Sequence, residues 1–413
     1  MLGKTHMRAM SWTLADQAVV SLGTFLINVL LARTLELTDF GIFALINGIL
    51  LTLQIFTASL LYYPVSVRLG VASEGQRPGL TGASFALTAI ACAPLCAALA
   101  VVIVTLGRTE LLLPALLYLT LWQVLEAARR NLMALLRHRD AVLGDAISYL
   151  GQSAVVGGLA AHGSLTLANA FYAMALTSAL AAIIQIRLLT IAWPGVGPLY
   201  RTALNFWAIG SWSLANNLVS ILRVQIFPWI LTGLHGPAAV ATFQAAFNVA
   251  NLVNPVSIGL CNIIPQVAAK AHAQGKRQAW LAARPFVLLG VPPTFLYCGV
   301  ALVFPELILR VMYGAGSPYL DATVPVRLMI TAWLISYAAD MTCSYLHGVE
   351  AAKTAFYVNA LGAAAAVILA FPLTTAFGLI GSAVAFPIAG AVRLLASQIL
   401  LTRIIDNDRH RFA

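Results

Sequence analysis

Apolar runs long enough to cross a bilayer recur from one end of this chain to the other. A membrane-spanning helix needs about 20 residues to cover a hydrocarbon core about 30 Å thick. Twelve runs meet that length or approach it: 11–32, 40–66, 80–106, 111–134, 142–161, 168–190, 203–231, 238–267, 282–304, 324–347, 355–376 and 378–401. In hydrocarbon every backbone N–H and C=O must be bonded within the chain, so runs of this length are expected as helices. Spans two, seven and eight are longer than a straight crossing needs and are expected to tilt. Spans eleven and twelve are separated only by Phe377-Gly378, a tight turn. The first apolar run continues to Leu31, past the length of a signal-peptide core, and no cleavage site closes it. It is read as a retained span.

Charge supports the same reading. Charged residues are 9% of the 413 and hydrophobic ones 61%, whereas soluble domains carry about 25% charged residues. That excludes a soluble enzyme, a disordered chain and a nucleic-acid-binding domain. The net charge of +10 reads as basic loops held on one face of a membrane. Arg33, Arg108, Arg310 and Arg327 fall on one side, Arg223 and Arg393 inside spans, and the remaining basic residues on the other side. The positive-inside rule makes the basic-rich side cytoplasmic, with both termini inside.

The chain repeats itself. At an offset of 200, Ser11-Trp12-Thr13-Leu14-Ala15-Asp16-Gln17 reappears as Ser211-Trp212-Ser213-Leu214-Ala215-Asn216-Asn217, and Phe43 falls on Phe243. Pro64 comes within one residue of Pro265 at that offset, and a later offset of 214 brings Glu126 onto Asp340, Arg139 onto Lys353 and Asp145 onto Asn359. The halves, 1–202 and 203–413, begin with spans one and seven and so share one orientation. An all-α integral membrane protein of about twelve spans in two pseudo-symmetric six-helix bundles is expected. That is a transporter plan with the pathway between the bundles.

Polar residues within the spans fall on faces. Ser213, Asn216, Ser220 and Arg223 recur at helical spacing on span seven, and Gln244, Asn248, Asn251, Asn262 and Gln266 on span eight, with Pro255 on the same face. Span two carries Asn47 and Gln54, and span one Asp16, Thr24 and Asn28. Four such faces would line a hydrated cavity. Hydrogen-bonding between helices is the competing reading. Among the charges, Glu126 precedes Arg129 and Arg130 at i+3 and i+4, the spacing of a local ion pair. Asp145 is placed for a clamp at the inner mouth, and an Asp340–Arg393 pair within the second half is open. Arg223 stands deep in a span with no acid one turn away, the position of a group that meets an anion, Asp16 or Asp340. Asp16 and Asp340 are the candidates for coupling an inward proton or sodium ion.

Chemistry-bearing motifs are sparse. Cys92, Cys96, Cys261, Cys298 and Cys343 sit in apolar stretches without a metal-ligand partner set. No zinc-protease, nucleophile-elbow, P-loop or dinucleotide motif stands in its required context. The chain is read as no enzyme, with no cofactor or metal.

The stretch Ala32-Arg33-Thr34-Leu35, a short acidic loop and Phe40-Gly41-Ile42-Phe43 resembles the junction of spans one and two in polysaccharide transporters. These form the O-antigen-type flippase branch of the multidrug/oligosaccharidyl-lipid/polysaccharide exporter superfamily. The twelve spans and the Arg-rich loop after span four fit that likeness along the whole chain. The resemblance implies flipping of an undecaprenyl-pyrophosphate-linked oligosaccharide to the outer leaflet of the bacterial inner membrane for surface polysaccharide synthesis. It implies a central cavity lined by spans one, two, seven and eight, with Arg223 at the position that meets pyrophosphate. The implied partners are the lipid-linked oligosaccharide, membrane lipid, and the polysaccharide polymerase and export machinery. A cation-coupled multidrug exporter of the same fold is the alternative. A membrane polymerase or ligase is a third reading, but the longest outer loop, 305–323, carries only Glu306, Arg310 and Asp321.

Overall fold

The computed structural model describes residues 4–412, with side chains at Trp12 and throughout 15–405. The expected inner-face residues Lys4, Arg8, Arg409 and Arg411 lie outside the described side chains. All regular structure among the described residues is helical. Nine helices there are long and apolar enough to cross a membrane. A tenth crossing is the broken pair Pro237–Asn251 and Asn254–Gln274, bent by 54°. The last apolar helix, Ala352–Ile405, counts twice, because Gly378 stands at φ 56° and ψ −132° and reverses the chain. The less apolar helical run 138–161 completes twelve. The chain is a multi-pass membrane protein.

The chain divides into two compact units, Met1–Leu218 and Val219–Ala413, the division falling within the 40-residue helix Val196–His235. In the first unit, Phe40, Phe43, Tyr118, Trp122 and Phe171 pack as a ring cluster, Tyr118 stacking on Trp122 at 5.8 Å. Span two, Leu37–Val71, widens into a π-helical turn at Ala58–Tyr62 just before Pro64. Proline has no N–H to continue the α ladder, and the Tyr63 N–H instead reaches back five residues to the Ala58 carbonyl. Span seven touches this turn through Gly210, where a Cβ would lie 2.3 Å from the Ser59 carbonyl oxygen. Asn217 fastens the contact, donating to the Ser59 hydroxyl at 3.0 Å.

Span eight is bent. The polar face expected from Gln244 to Gln266 is divided between its two segments, Pro237–Asn251 and Asn254–Gln274. Pro255 lies in the first turn of the second segment, where its missing N–H would otherwise bond the Asn251 carbonyl. Beyond the bend Asn262 and Gln266 are exposed, and Gln266 donates only to the Asn262 carbonyl, 3.1 Å away. At the bend, the Tyr297 hydroxyl donates to the Val249 carbonyl at 2.5 Å, which also accepts from the Leu252 N–H at 3.3 Å. Phe386 packs among Phe227, Phe243 and Phe247, with its ring 4.4 Å from that of Phe227.

A charged cavity in the C-terminal unit

Four spans of the second unit enclose a cavity of about 290 Å³. Span seven contributes Arg223, Val224 and Phe227, and span eight Phe247, Asn251 and Asn254 on either side of its bend. Span ten turns Trp333, Ser336 and Asp340 inward at +3 and +4, and span twelve supplies Phe386, Ala389 and Gly390. Small residues on span twelve leave the room, and aromatic rings form the apolar wall.

The charges are unevenly paired. Arg393, only 3% exposed, holds Asp340 at 2.6 Å, so the Asp340–Arg393 pair forms within the second unit. Its Nε also donates to Asn359 at 3.0 Å and its Nη2 approaches the Cys343 sulfur at 3.8 Å. Gly362 leaves space for the stem, since a Cβ there would lie 3.0 Å from that of Arg393. Asp340 keeps a quarter of its side chain exposed, at 25%. Arg223 feels both Asp340 and Arg393 electrostatically, yet among the described residues it makes no hydrogen bond or ion pair. Arg393 thus takes the carboxylate of Asp340, and Arg223, Asp340 and Arg393 together carry a formal excess of one positive charge. Such an excess inside a membrane protein is costly unless water or an anion meets it.

The first unit contains the counterpart cluster with the opposite sign. Arg129 is held by Asp16 at 2.5 Å, Asp145 at 2.5 Å and Glu126 at 3.1 Å, and Glu126 also meets Arg130 at 3.2 Å. Three carboxylates around two guanidiniums leave one formal negative charge. The repeat explains the relation: Asp340 matches Glu126, and Asn359 stands where the first half has Asp145. The second half has lost a carboxylate at this position, and its central guanidinium comes from span twelve instead of span four.

The remaining candidates are distributed between roles. Asn251 lines the cavity with Arg223 and Asp340. Gln244, one turn and more away, donates to Asn248 at 2.8 Å. Ser220 and Asn216 are half-buried on the face of span seven that carries Arg223, and both have bonded partners. In the first unit Asn28 is buried and donates to the Thr24 carbonyl at 2.8 Å, and Asn47 is half-buried. Gln54 accepts from Gln123 at 2.7 Å, and Gln123 in turn accepts from Thr57 and Tyr62 at 2.9 Å each. That is an interhelical network. Asp16 meets Arg129 through one carboxylate oxygen, at 2.5 Å. Sequence reasoning overlooked Asn254, Trp333 and Ser336; the +3, +4 spacing of Trp333, Ser336 and Asp340 on span ten was the available signal.

The architecture has solved counterparts. An inward-facing multidrug resistance MATE family transporter of the MOP superfamily superposes with a TM-score of 0.75 at 14% identity, over 98% of this chain and 96% of that one. The lipid II flippase MurJ, in an inward closed conformation, matches with a TM-score of 0.73 at 12% identity, over 96% of this chain and 87% of that one. The fold is that of the MATE and MurJ transporters. A third match, at a TM-score of 0.62 and 13% identity over 97% and 96% of the two chains, is a MOP superfamily transporter from Pyrococcus furiosus whose binding pocket of reverse polarity suggests a different function. No protein-family profile and no curated protein matches the sequence.

Proposed function

We propose that this protein is a flippase that carries a lipid-linked oligosaccharide, with an undecaprenyl-pyrophosphate anchor, from the cytoplasmic to the outer leaflet by alternating access. The observation that carries the reading is Arg223, a guanidinium without a partner among the described residues, on the wall of an intramembrane cavity. A sugar-pyrophosphate head cannot enter hydrocarbon unaided, because its charges and hydroxyls would lose their water. Arg223 meets phosphate oxygens, Asn251, Asn254 and Ser336 meet sugar hydroxyls, and Trp333 and the phenylalanines meet the apolar faces of sugar rings. Moving a negative charge outward gains about 2.3 kcal/mol per 100 mV of inside-negative potential. The halves 1–202 and 203–413 then act as the two moving bundles, in a bacterial inner membrane with both termini cytoplasmic.

The aromatic wall also favours the second reading, a cation-coupled multidrug exporter. The sign of the charge separates the two, since a cationic drug is repelled by a cavity with one positive charge in excess. Complementation tests the choice. The chain is expected to restore surface polysaccharide in a flippase-deficient bacterium, and Arg223→Ala to abolish that restoration at unchanged membrane expression. Full polymer output with Arg223→Ala removes Arg223 from the mechanism. Drug resistance without polymer export replaces the flippase reading with the exporter.

A further inference from the structure

We propose that Arg393 is a positioning residue: by holding Asp340 it prevents that carboxylate from neutralising Arg223, and so sets the capacity of the cavity for an anionic group. The proposal rests on the flippase reading of the same cavity. Asp340 lines the cavity together with Arg223 and is one of its charged neighbours, yet its ion pair is with Arg393 at 2.6 Å. Arg393 wins this competition for physical reasons. It is 3% exposed, so it has the greater need of a counter-charge. Asn359 on span eleven accepts from its Nε at 3.0 Å, and the gap at Gly362 receives its stem, which fixes the guanidinium beside span ten. Arg223 is the less buried of the two and reaches the cavity itself.

The consequence is a testable sign pattern. Removing the charge of Arg393 leaves Arg223 as the basic residue among the described ones that interacts with Asp340. The two then pair across the cavity, its excess charge falls to zero, and an incoming anion must displace a carboxylate. Removing the carboxylate as well releases Arg223 again. A role of Arg393 in packing alone predicts no such recovery, because the second substitution restores none of the lost contacts.

The experiment measures binding of farnesyl pyrophosphate, a short lipid pyrophosphate, to the purified full-length protein in detergent by thermophoresis. Arg393→Leu is expected to weaken binding by about tenfold or more. Arg393→Leu combined with Asp340→Asn is expected to return to within about threefold of the parent, since Arg223 regains its freedom. Arg393→Lys, which keeps a charge for Asp340, is expected to retain most of the affinity. Asp340→Asn alone is expected to bind at least as tightly as the parent, a result that stands even where Arg393→Leu does not fold. A double variant as weak as Arg393→Leu, or weaker binding by Asp340→Asn, overturns the positioning role. Arg223→Ala separates the two levels. Parental affinity in that variant sinks the flippase site itself, whereas lost affinity there with unchanged affinity in Arg393→Leu sinks only the present proposal.

Discussion

Replacing Arg129 by leucine removes the centre of the acidic cluster, and the structure sets the size of the effect. Arg129 is the ion-pair partner of Asp16 and Asp145, each at 2.5 Å, and one of two partners of Glu126. Glu126 retains Arg130 at 3.2 Å, but Asp16, 2% exposed, and Asp145, 0% exposed, have no second arginine or lysine ion pair among the described residues. Breaking a buried pair and leaving its charge unmet costs about 3–5 kcal/mol. Two carboxylates are orphaned together, and uptake of a proton by one of them limits the total, so about 4 kcal/mol is a fair lower figure. In a unit of this size that corresponds to a fall in melting temperature of about 10 °C. The assay is thermal unfolding of the detergent-purified protein followed with a thiol-reactive dye. The cysteines are free, and Cys92 is buried in the affected unit. Adding Asp16→Asn and Asp145→Asn to Arg129→Leu is expected to recover most of the loss, as the second half already carries Asn359 at the matching position. An Arg129→Leu protein that unfolds within about 2 °C of the parent refutes the reasoning, because such a small shift corresponds to less than about 1 kcal/mol.

Two further substitutions probe the first unit. Gln123→Leu strips the shared partner from Gln54, Thr57 and Tyr62 and is expected to lower stability by about 2–3 kcal/mol, read in the same unfolding assay; an unchanged transition contradicts the network. Gly210→Val puts a branched side chain where even a Cβ would stand 2.3 Å from the Ser59 carbonyl, and is expected to abolish monodisperse elution in size-exclusion chromatography. Normal elution contradicts the close approach of spans two and seven.

Much of this architecture could be read from hydropathy alone, since length and apolarity decide membrane crossing before any packing is known. The Phe377-Gly378 turn and the local pairs of Glu126 with Arg129 and Arg130 could also be read, because each depends on residues a few positions apart. The hub role of Arg129 could not. Its contact with Asp16 closes over 113 residues, and nothing in the local pattern names that partner. The bend in span eight was obscured by periodicity. Pro255 fits the polar face by spacing, but spacing does not register the hydrogen bond that proline cannot make. Gln54 illustrates a different limit: an inward amide looks alike in sequence whether it meets water or Gln123. The cavity wall from spans ten and twelve went unread because its aromatic and small residues resemble ordinary core.

The central claim is that the guanidinium of Arg223, without an ion pair among the described residues, carries an anionic head group across the bilayer. The direct measurement is translocation of a fluorescent short-chain polyprenyl-pyrophosphate saccharide in proteoliposomes, scored by a membrane-impermeant quencher, for the parent and Arg223→Ala at equal reconstitution. The account predicts translocation by the parent and a loss of at least about a hundredfold in the variant, the scale of one buried charge-assisted contact of about 3 kcal/mol. Equal rates in the two proteins, or no translocation by a parent that exports cationic dyes, contradict it.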